Sequence, residues 1–243
     1  MYKRQEIYTA QPTLWPQDPT LEGFRSLFQR IPFAEQVGNS LVVALSATAL
    51  ATVVSTLAAY GLTRLRFRGR NVLAGLFFSA YLVPIAVLFI PVFLMMQVLG
   101  LLNTFSGLVL AYQSFTIPFS VWMLRGYFLG IPVELEEAAR LDGCNRLQAL
   151  RRIVLPLAAP GIMASAILSF TLAWNEFLLA VVIMTQQRDT TAPVGLQSFL
   201  FADSAHWSEL MGGAVIMGIP VLILYLLAQR YIVSGLTAGS VRG

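Results

Sequence analysis

The stretch Glu136–Gly161, EEAARLDGCNRLQALRRIVLPLAAPG, sets a charged island inside a chain that otherwise runs from one long apolar segment to the next. Pro132 suits a first helical position, and Glu134, Glu136 and Glu137 follow in the first turns, where the helix dipole favours carboxylates. Gly143 lies just past the natural end of that helix, at Leu141 or Asp142, where a residue of positive φ closes it. The chain then restarts. Leu147, Leu150, Ile153, Val154 and Leu157 trace an apolar stripe at spacings of three and four, while Arg146, Gln148, Arg151 and Arg152 lie off it. The island reads as helix, turn, helix.

Around the island the composition is that of a bilayer protein. Of 243 residues, 57% are hydrophobic and only 12% charged, where a soluble domain carries about 25% charged residues. Five runs, 38–62, 72–99, 105–124, 157–184 and 210–233, reach the roughly 20 mostly apolar residues that a spanning helix needs. They are continuous rather than alternating, which argues against a membrane barrel. The fold class is therefore all-α, a polytopic integral membrane protein with five predicted spans.

Short-loop arginines set the orientation. The link after the first span holds Arg64, Arg66, Arg68 and Arg70, and the segment 125–156 holds Arg125, Arg140, Arg146, Arg151 and Arg152. Both are expected in the cytoplasm. The link 100–104 is uncharged and 185–209 holds one arginine, Arg188, so both suit the outer side. This alternation puts the C-terminus inside and residues 1–37 outside. No signal-peptide pattern precedes Gly38, and the expectation is that a preceding span is absent from this sequence and that residues 1–5 are not native. Leu21, Phe24, Leu27 and Phe28 share one helical face, as in an amphipathic helix on the outer surface.

Several function classes drop out. One cysteine, Cys144, and one histidine, His206, allow neither an intrachain disulfide nor a Cys/His metal cluster. The single lysine, Lys3, lies far from any Gly-rich loop, so the chain lacks a phosphate-binding Gly-x-x-x-x-Gly-Lys-Ser/Thr motif and does not hydrolyse ATP by that route. The net charge of +4 reflects loop arginines and does not point to nucleic acid. An intramembrane enzyme needs a nucleophile and a base, and the spans hold no paired His, Asp or Cys set. The alternative class is a stand-alone secondary transporter or channel, which normally places ionisable groups at mid-membrane. Here the span interiors hold almost none apart from Glu176.

For the island itself the pattern supports two readings equally. A basic amphipathic loop can rest on anionic headgroups, at about 1 kcal/mol per arginine. Alternatively, a short helix can project into a groove on a cytoplasmic partner, with Ala138 and Ala139 allowing close approach and the glutamates and Arg140 fixing register.

Glu137-Ala138-Ala139, Gly143, Ile153 and Leu155-Pro156, at their spacings, resemble the EAA loop in the membrane subunits of bacterial binding-protein-dependent ABC importers. Thr13-Leu14-Trp15-Pro16, Arg66-Phe67-Arg68-Gly69, Ile131-Pro132, Ala173-Trp174-Asn175-Glu176-Phe177 and Gly235-Leu236-Thr237-Ala238-Gly239 resemble the carbohydrate branch, specifically its shorter, maltose-type permease subunit, from about Pro12 onward. The resemblance implies a multi-pass subunit of the bacterial inner membrane that does no chemistry itself and has no catalytic or metal-binding residue. It implies an extracytoplasmic segment at 1–37 and a transmembrane domain at 38–243, with a cytoplasmic coupling loop at about 131–156. Glu137, Ala138, Ala139, Asp142, Gly143, Ile153, Leu155 and Pro156 become the residues coupling the chain to an ATPase.

The implied partners are a second, homologous permease, two ATPase subunits that use ATP and Mg, an extracytoplasmic solute-binding protein and membrane lipid. No cofactor is implied for this chain, and the implied solute is a sugar or related polyol. The branch normally has six spans with the N-terminus inside, so the resemblance leads one to expect a further span before the five read here. Cys144 stands where alanine is usual and Leu150 where an aromatic is common, both modest volume changes that docking should survive.

For the path itself, Tyr112, Gln113, Tyr81 and Trp122 are of the type that lines a sugar route and equally of the type that packs spans. Asn175 and Glu176 read as a gate or as a hydrated helix end, and Trp174 as an interfacial anchor or a sugar-stacking ring. Asp203 and His206 fall in an outer loop, facing a binding protein or solvent. Pro84, Pro91, Pro118 and Pro220 read as gating hinges or as prolines a membrane helix simply tolerates.

Overall fold

A computed structural model describes residues 20–186, 189–200 and 206–240, with the side chains of 228 and 230–240 excepted. Every regular element among them is helical. The amphipathic face of the N-terminal segment forms α1 (Glu22–Arg30), with Leu27 fully buried and Leu21 on the open side. α2 (Phe33–Arg64) is the first long span, reaching beyond the predicted 38–62 at both ends. Its buried face carries Ala44, Ala47, Ala51, Ser55 and Ala59, while Val42, Leu45, Val53 and Leu57 are exposed on the other face. In lipid no hydrophobic force drives helices together, so small residues at a spacing of three and four act by letting backbones approach closely. α2 accordingly lies at the centre of the bundle, packed along α5 (Phe105–Gly130) and α8 (Leu155–Trp174).

The second predicted span, 72–99, is not one straight helix. α3 (Arg70–Leu82) and α4 (Ile85–Val98) meet at a bend of 104°. Pro84 carries no N–H, and its ring excludes the helical conformation for the residue before it; Val83 is extended at φ −71°, ψ 122°. Pro91, Pro118 and Pro220 remain inside helices.

The fourth predicted span, 157–184, is also corrected at both ends. It starts earlier, because α7 (Arg146–Ala149) continues through a π-helical turn at Leu150–Val154 into α8, forming one 29-residue run Arg146–Trp174. The wide turn lies immediately before Pro156, which has no N–H to donate to the preceding turn. The run stops at Trp174, and after a break at 175–177 the short α9 (Leu178–Ile183) follows. α10 (Ala192–Gln197) leads to the last span, α11 (Trp207–Ser240), which packs on α8 and α1.

Two buried clusters result. The larger joins α1, α2, α5, α8, α9 and α11 around Phe33, Tyr112 and Trp174. The smaller gathers Tyr60, Leu124, Phe128, Leu150 and Val154 at the arginine-rich end. Five arginines, Arg64, Arg66, Arg70, Arg140 and Arg146, line a cleft of ≈ 780 Å³ at that end.

Candidate functional site

The island folds as α6 (Val133–Leu141), a turn, and α7. Pro132 takes the N-cap position, one residue earlier than the sequence suggests, with Glu134 and Glu136 in the first turn. Gly143 has φ +90°. It closes α6 in a Schellman arrangement: the N–H of Cys144 donates to Ala139 O at 3.0 Å and that of Gly143 to Arg140 O at 3.2 Å. The restart is fixed by a capping box the sequence reading missed. Asn145 Oδ1 accepts from the Gln148 N–H at 2.9 Å, and Gln148 Oε1 accepts from the Asn145 N–H at 2.8 Å.

α6 has two faces. Val133, Glu137, Ala138 and Leu141 point outward, Leu141 being 89% exposed, while Glu136 and Ala139 are buried. The inner face is held by α2. Tyr60 Oη donates to Glu136 Oε1 at 2.5 Å, Arg64 Nη2 donates to the Ile131 carbonyl at 2.7 Å, and Arg64 Nε stands 3.3 Å from Glu136 Oε2. Beyond the turn, Leu150 and Val154 are buried, Ile153 and Leu155 half-buried, and Pro156 exposed. Leu147 and Leu157, expected on the buried stripe, are exposed at 71% and 50%. The buried positions on this stretch are instead Ala149, Leu150, Val154 and Ala158.

At the other end the structure redistributes the pathway candidates. Trp174 is neither an interfacial anchor nor an open stacking platform: it is buried, stacked on Phe170 at 5.6 Å, and donates Nε1–H to Met217 O at 3.0 Å. Glu176 is buried rather than hydrated. Its Oε1 accepts from Leu179 N–H at 2.9 Å and its Oε2 from Ala180 N–H at 3.1 Å, so it caps the start of α9. The Tyr112 hydroxyl lies beside that carboxylate, outside hydrogen-bonding geometry.

Gln113 Nε2 donates to Val109 O at 2.7 Å, within its own helix, and reaches Ala47 O of α2 at 3.4 Å. Asn175 borders a cavity of ≈ 600 Å³ together with Met217, Gly218 and Tyr225. Tyr81 and Trp122 stack at 5.7 Å, half-exposed where α3 meets α5. His206 packs its ring on Phe199, and Asp203 lies outside the described residues. Asn103 Oδ1 accepts from both the N–H and the hydroxyl of Thr185, at 2.8 Å each, joining the turn after α4 to the end of α9.

Sequence reasoning read Glu136 as a first-turn carboxylate, or with its neighbouring glutamates as a register-fixing group facing a partner, and overlooked Tyr60 altogether. The available signal was Tyr60-x-x-x-Arg64, an acceptor-seeking pair one turn apart at the end of a span. Among the described residues no group of three or more His, Cys, Asp and Glu could hold a metal ion.

A bundle of apolar helices with one short, capped, outward-facing helix at its arginine-rich end is the architecture of a polytopic membrane protein. Residues 39–237 match the family described as binding-protein-dependent transport system inner membrane component, and the chain belongs to it. It is 38% identical over 241 residues to the inner membrane ABC transporter permease protein YcjP of Escherichia coli strain K12, a match covering 98% of this chain and 86% of that one. It is 37% identical over 238 residues to the diacetylchitobiose uptake system permease protein DasC of Streptomyces coelicolor (98% and 86%), and 37% over 234 residues to the trehalose transport system permease protein SugB of Mycobacterium tuberculosis (95% and 85%). The fold superposes with a TM-score of 0.78 on a chain of a bacterial ABC transporter that imports alginate, at 24% identity over 93% of this chain and 85% of that one. The chain is thus a permease subunit of the ABC importer type, in the carbohydrate branch, multi-pass in the inner membrane.

Proposed function

We propose that α6 is the helix through which a separate ATPase drives this permease, and that the solute is a sugar or related polyol. The observation that carries the reading is the outer face of α6: Glu137, Ala138 and an 89%-exposed Leu141 on a helix whose end is locked by Gly143. An apolar side chain that exposed, on a rigid helix flanked by charges, suits a groove in a protein partner better than a lipid surface. Transmission requires that the partner contact α6 differently in its two states and that α6 not deform when pushed. The Schellman closure and the run Arg146–Trp174 supply the stiffness, with Ile153, Leu155 and Pro156 at the junction. Asp142, at the C-cap, and Ala139, packed underneath, complete the coupling set.

In this reading ATP and Mg are used by two ATPase subunits, a second permease forms the other half of the path, and a solute-binding protein delivers from outside. The C-terminus and the loop 131–156 lie in the cytoplasm, and residues 1–37 outside. The carbohydrate assignment draws on relatives named for diacetylchitobiose and trehalose. Solute contact is placed at Asn175 and the cavity it borders, with Tyr112, Gln113 and Glu176 as the further pathway residues of this reading.

The test is co-purification of the ATPase with tagged wild type and with Gly143→Asp, each co-expressed with the second permease. Loss of the ATPase from a Gly143→Asp subunit that still inserts and pairs with the second permease is expected. Undiminished co-purification together with normal uptake would reject α6 as the docking element.

A further inference from the structure

We infer that Tyr60 and Arg64 of α2 form, with Glu136, a latch that makes the central span move with α6, and that these are positioning residues for transport. This rests on α6 being the docking helix. Chain continuity ties α6 to only two spans. Through Ile131 it follows α5, and across Gly143 it leads through α7 into α8. α2, which packs on both α5 and α8 and carries the small-residue face of the bundle, has no such covalent link. Its attachment to α6 is the polar contact itself: the Tyr60 hydroxyl on one oxygen of Glu136, the Arg64 guanidinium against the other, and a second arm of the same guanidinium on Ile131 O, the carbonyl just before α6.

The contact is buried, with side-chain exposures of 5% for Arg64 and 8% for Glu136. A buried ion pair stabilises a fold little better than apolar residues of the same size, because desolvation offsets the attraction; its best-attested use is to fix a register. The geometry here fits that use. Tyr60 and Arg64 stand one turn apart on α2 and both meet Glu136, while Arg64 also holds the Ile131 carbonyl just before α6, so neither rotation nor sliding of α6 along α2 is free. The outward neighbours Glu137 and Ala138 are thereby aimed by Glu136 from the opposite face. Removing one partner strands a buried charge, so the latch resists opening as α6 is pushed.

The test uses the complete transporter in proteoliposomes with its binding protein and solute, with ATP hydrolysis and uptake measured side by side. In Glu136→Gln uptake per ATP hydrolysed is expected to fall about tenfold, the weight of one lost charge-assisted hydrogen bond, while the ATPase stays bound. Tyr60→Phe shifts the same ratio less, and the Tyr60→Phe, Glu136→Gln double variant falls no further than Glu136→Gln alone. A purely structural role would lower the amount of complex without changing the ratio. A wild-type ratio in Glu136→Gln overturns the latch.

Should Glu136→Gln fail to assemble, Thr63→Cys and Val133→Cys, which line one cleft beside an intact latch, are bridged with a short bifunctional thiosulfonate in a Cys144→Ser background. Retained uptake is expected, because the latch stays closed through the cycle; uptake abolished by bridging overturns it. Failure of the docking reading itself appears elsewhere, as a Gly143→Asp complex that binds ATPase and transports normally.

Discussion

The indole N–H of Trp174 donates to the carbonyl of Met217 across 3.0 Å, joining the last turn of α8 to the interior of α11. The ring also stacks on Phe170 with an interplanar angle of 16°. Trp174→Phe keeps a ring against Phe170 and loses the hydrogen bond, at a cost of about 1 kcal/mol. Trp174→Ala also opens a cavity and costs roughly 3–5 kcal/mol. Thermal unfolding of the purified complex in detergent checks both, and equal midpoints for the two variants would show that the ring is not packed as described.

Gly143 separates torsion from crowding. A Cβ built there meets nothing within 4 Å, yet φ is +90°, so the cost of a side chain is conformational, about 1–2 kcal/mol for an ordinary L-residue. Asparagine tolerates such angles and β-branched residues do not. Gly143→Asn is therefore expected to retain most uptake and Gly143→Val to lose most of it, in cells matched for membrane level of the subunit. The reverse order would count against the turn.

Glu176 caps α9 with both oxygens. Glu176→Gln keeps one acceptor and is expected to cost about 1 kcal/mol, and Glu176→Ala about 2 kcal/mol. Hydrogen exchange at the amides of Leu179 and Ala180 reads the cap directly: protection should fall in the order wild type, glutamine, alanine.

How much of this was legible in the sequence depends on how local the cause is. α6, its first-turn glutamates and its closing glycine could be read in advance because helix termini are decided within a few residues. The apolar runs were readable because the bilayer sets their length. The break at Val83-Pro84 was not separable from Pro91, Pro118 or Pro220, since whether a membrane helix bends at a proline depends on which neighbours re-satisfy its backbone. Trp174 was misplaced for a related reason: in lipid both the packed and the exposed faces of a helix are apolar, so composition does not say which way a ring turns. The contact between Tyr60 and Glu136 spans 76 positions of sequence, and no local pattern encodes a pairing at that range.

Asn103 combines two duties that substitution can split. It holds φ +56° and accepts twice from Thr185. Asn103→Gly should keep the turn and lose the grip, whereas Asn103→Ala should lose both and be less stable by about 1–2 kcal/mol than the glycine variant. Faster exchange of the Thr185 amide in both variants, with the lower melting midpoint for alanine, is the expected pattern.

The wide turn at Leu150–Val154 has a mechanical consequence. One surplus residue in an otherwise continuous rod puts its two ends out of phase by roughly 100° relative to an unbroken α-helix. That offset decides which way α6 faces: deleting one residue from Leu150–Val154 would swing the α6 junction by roughly the same angle about the axis of α8 and part Glu136 from Tyr60, so the surplus residue is what brings the two into register.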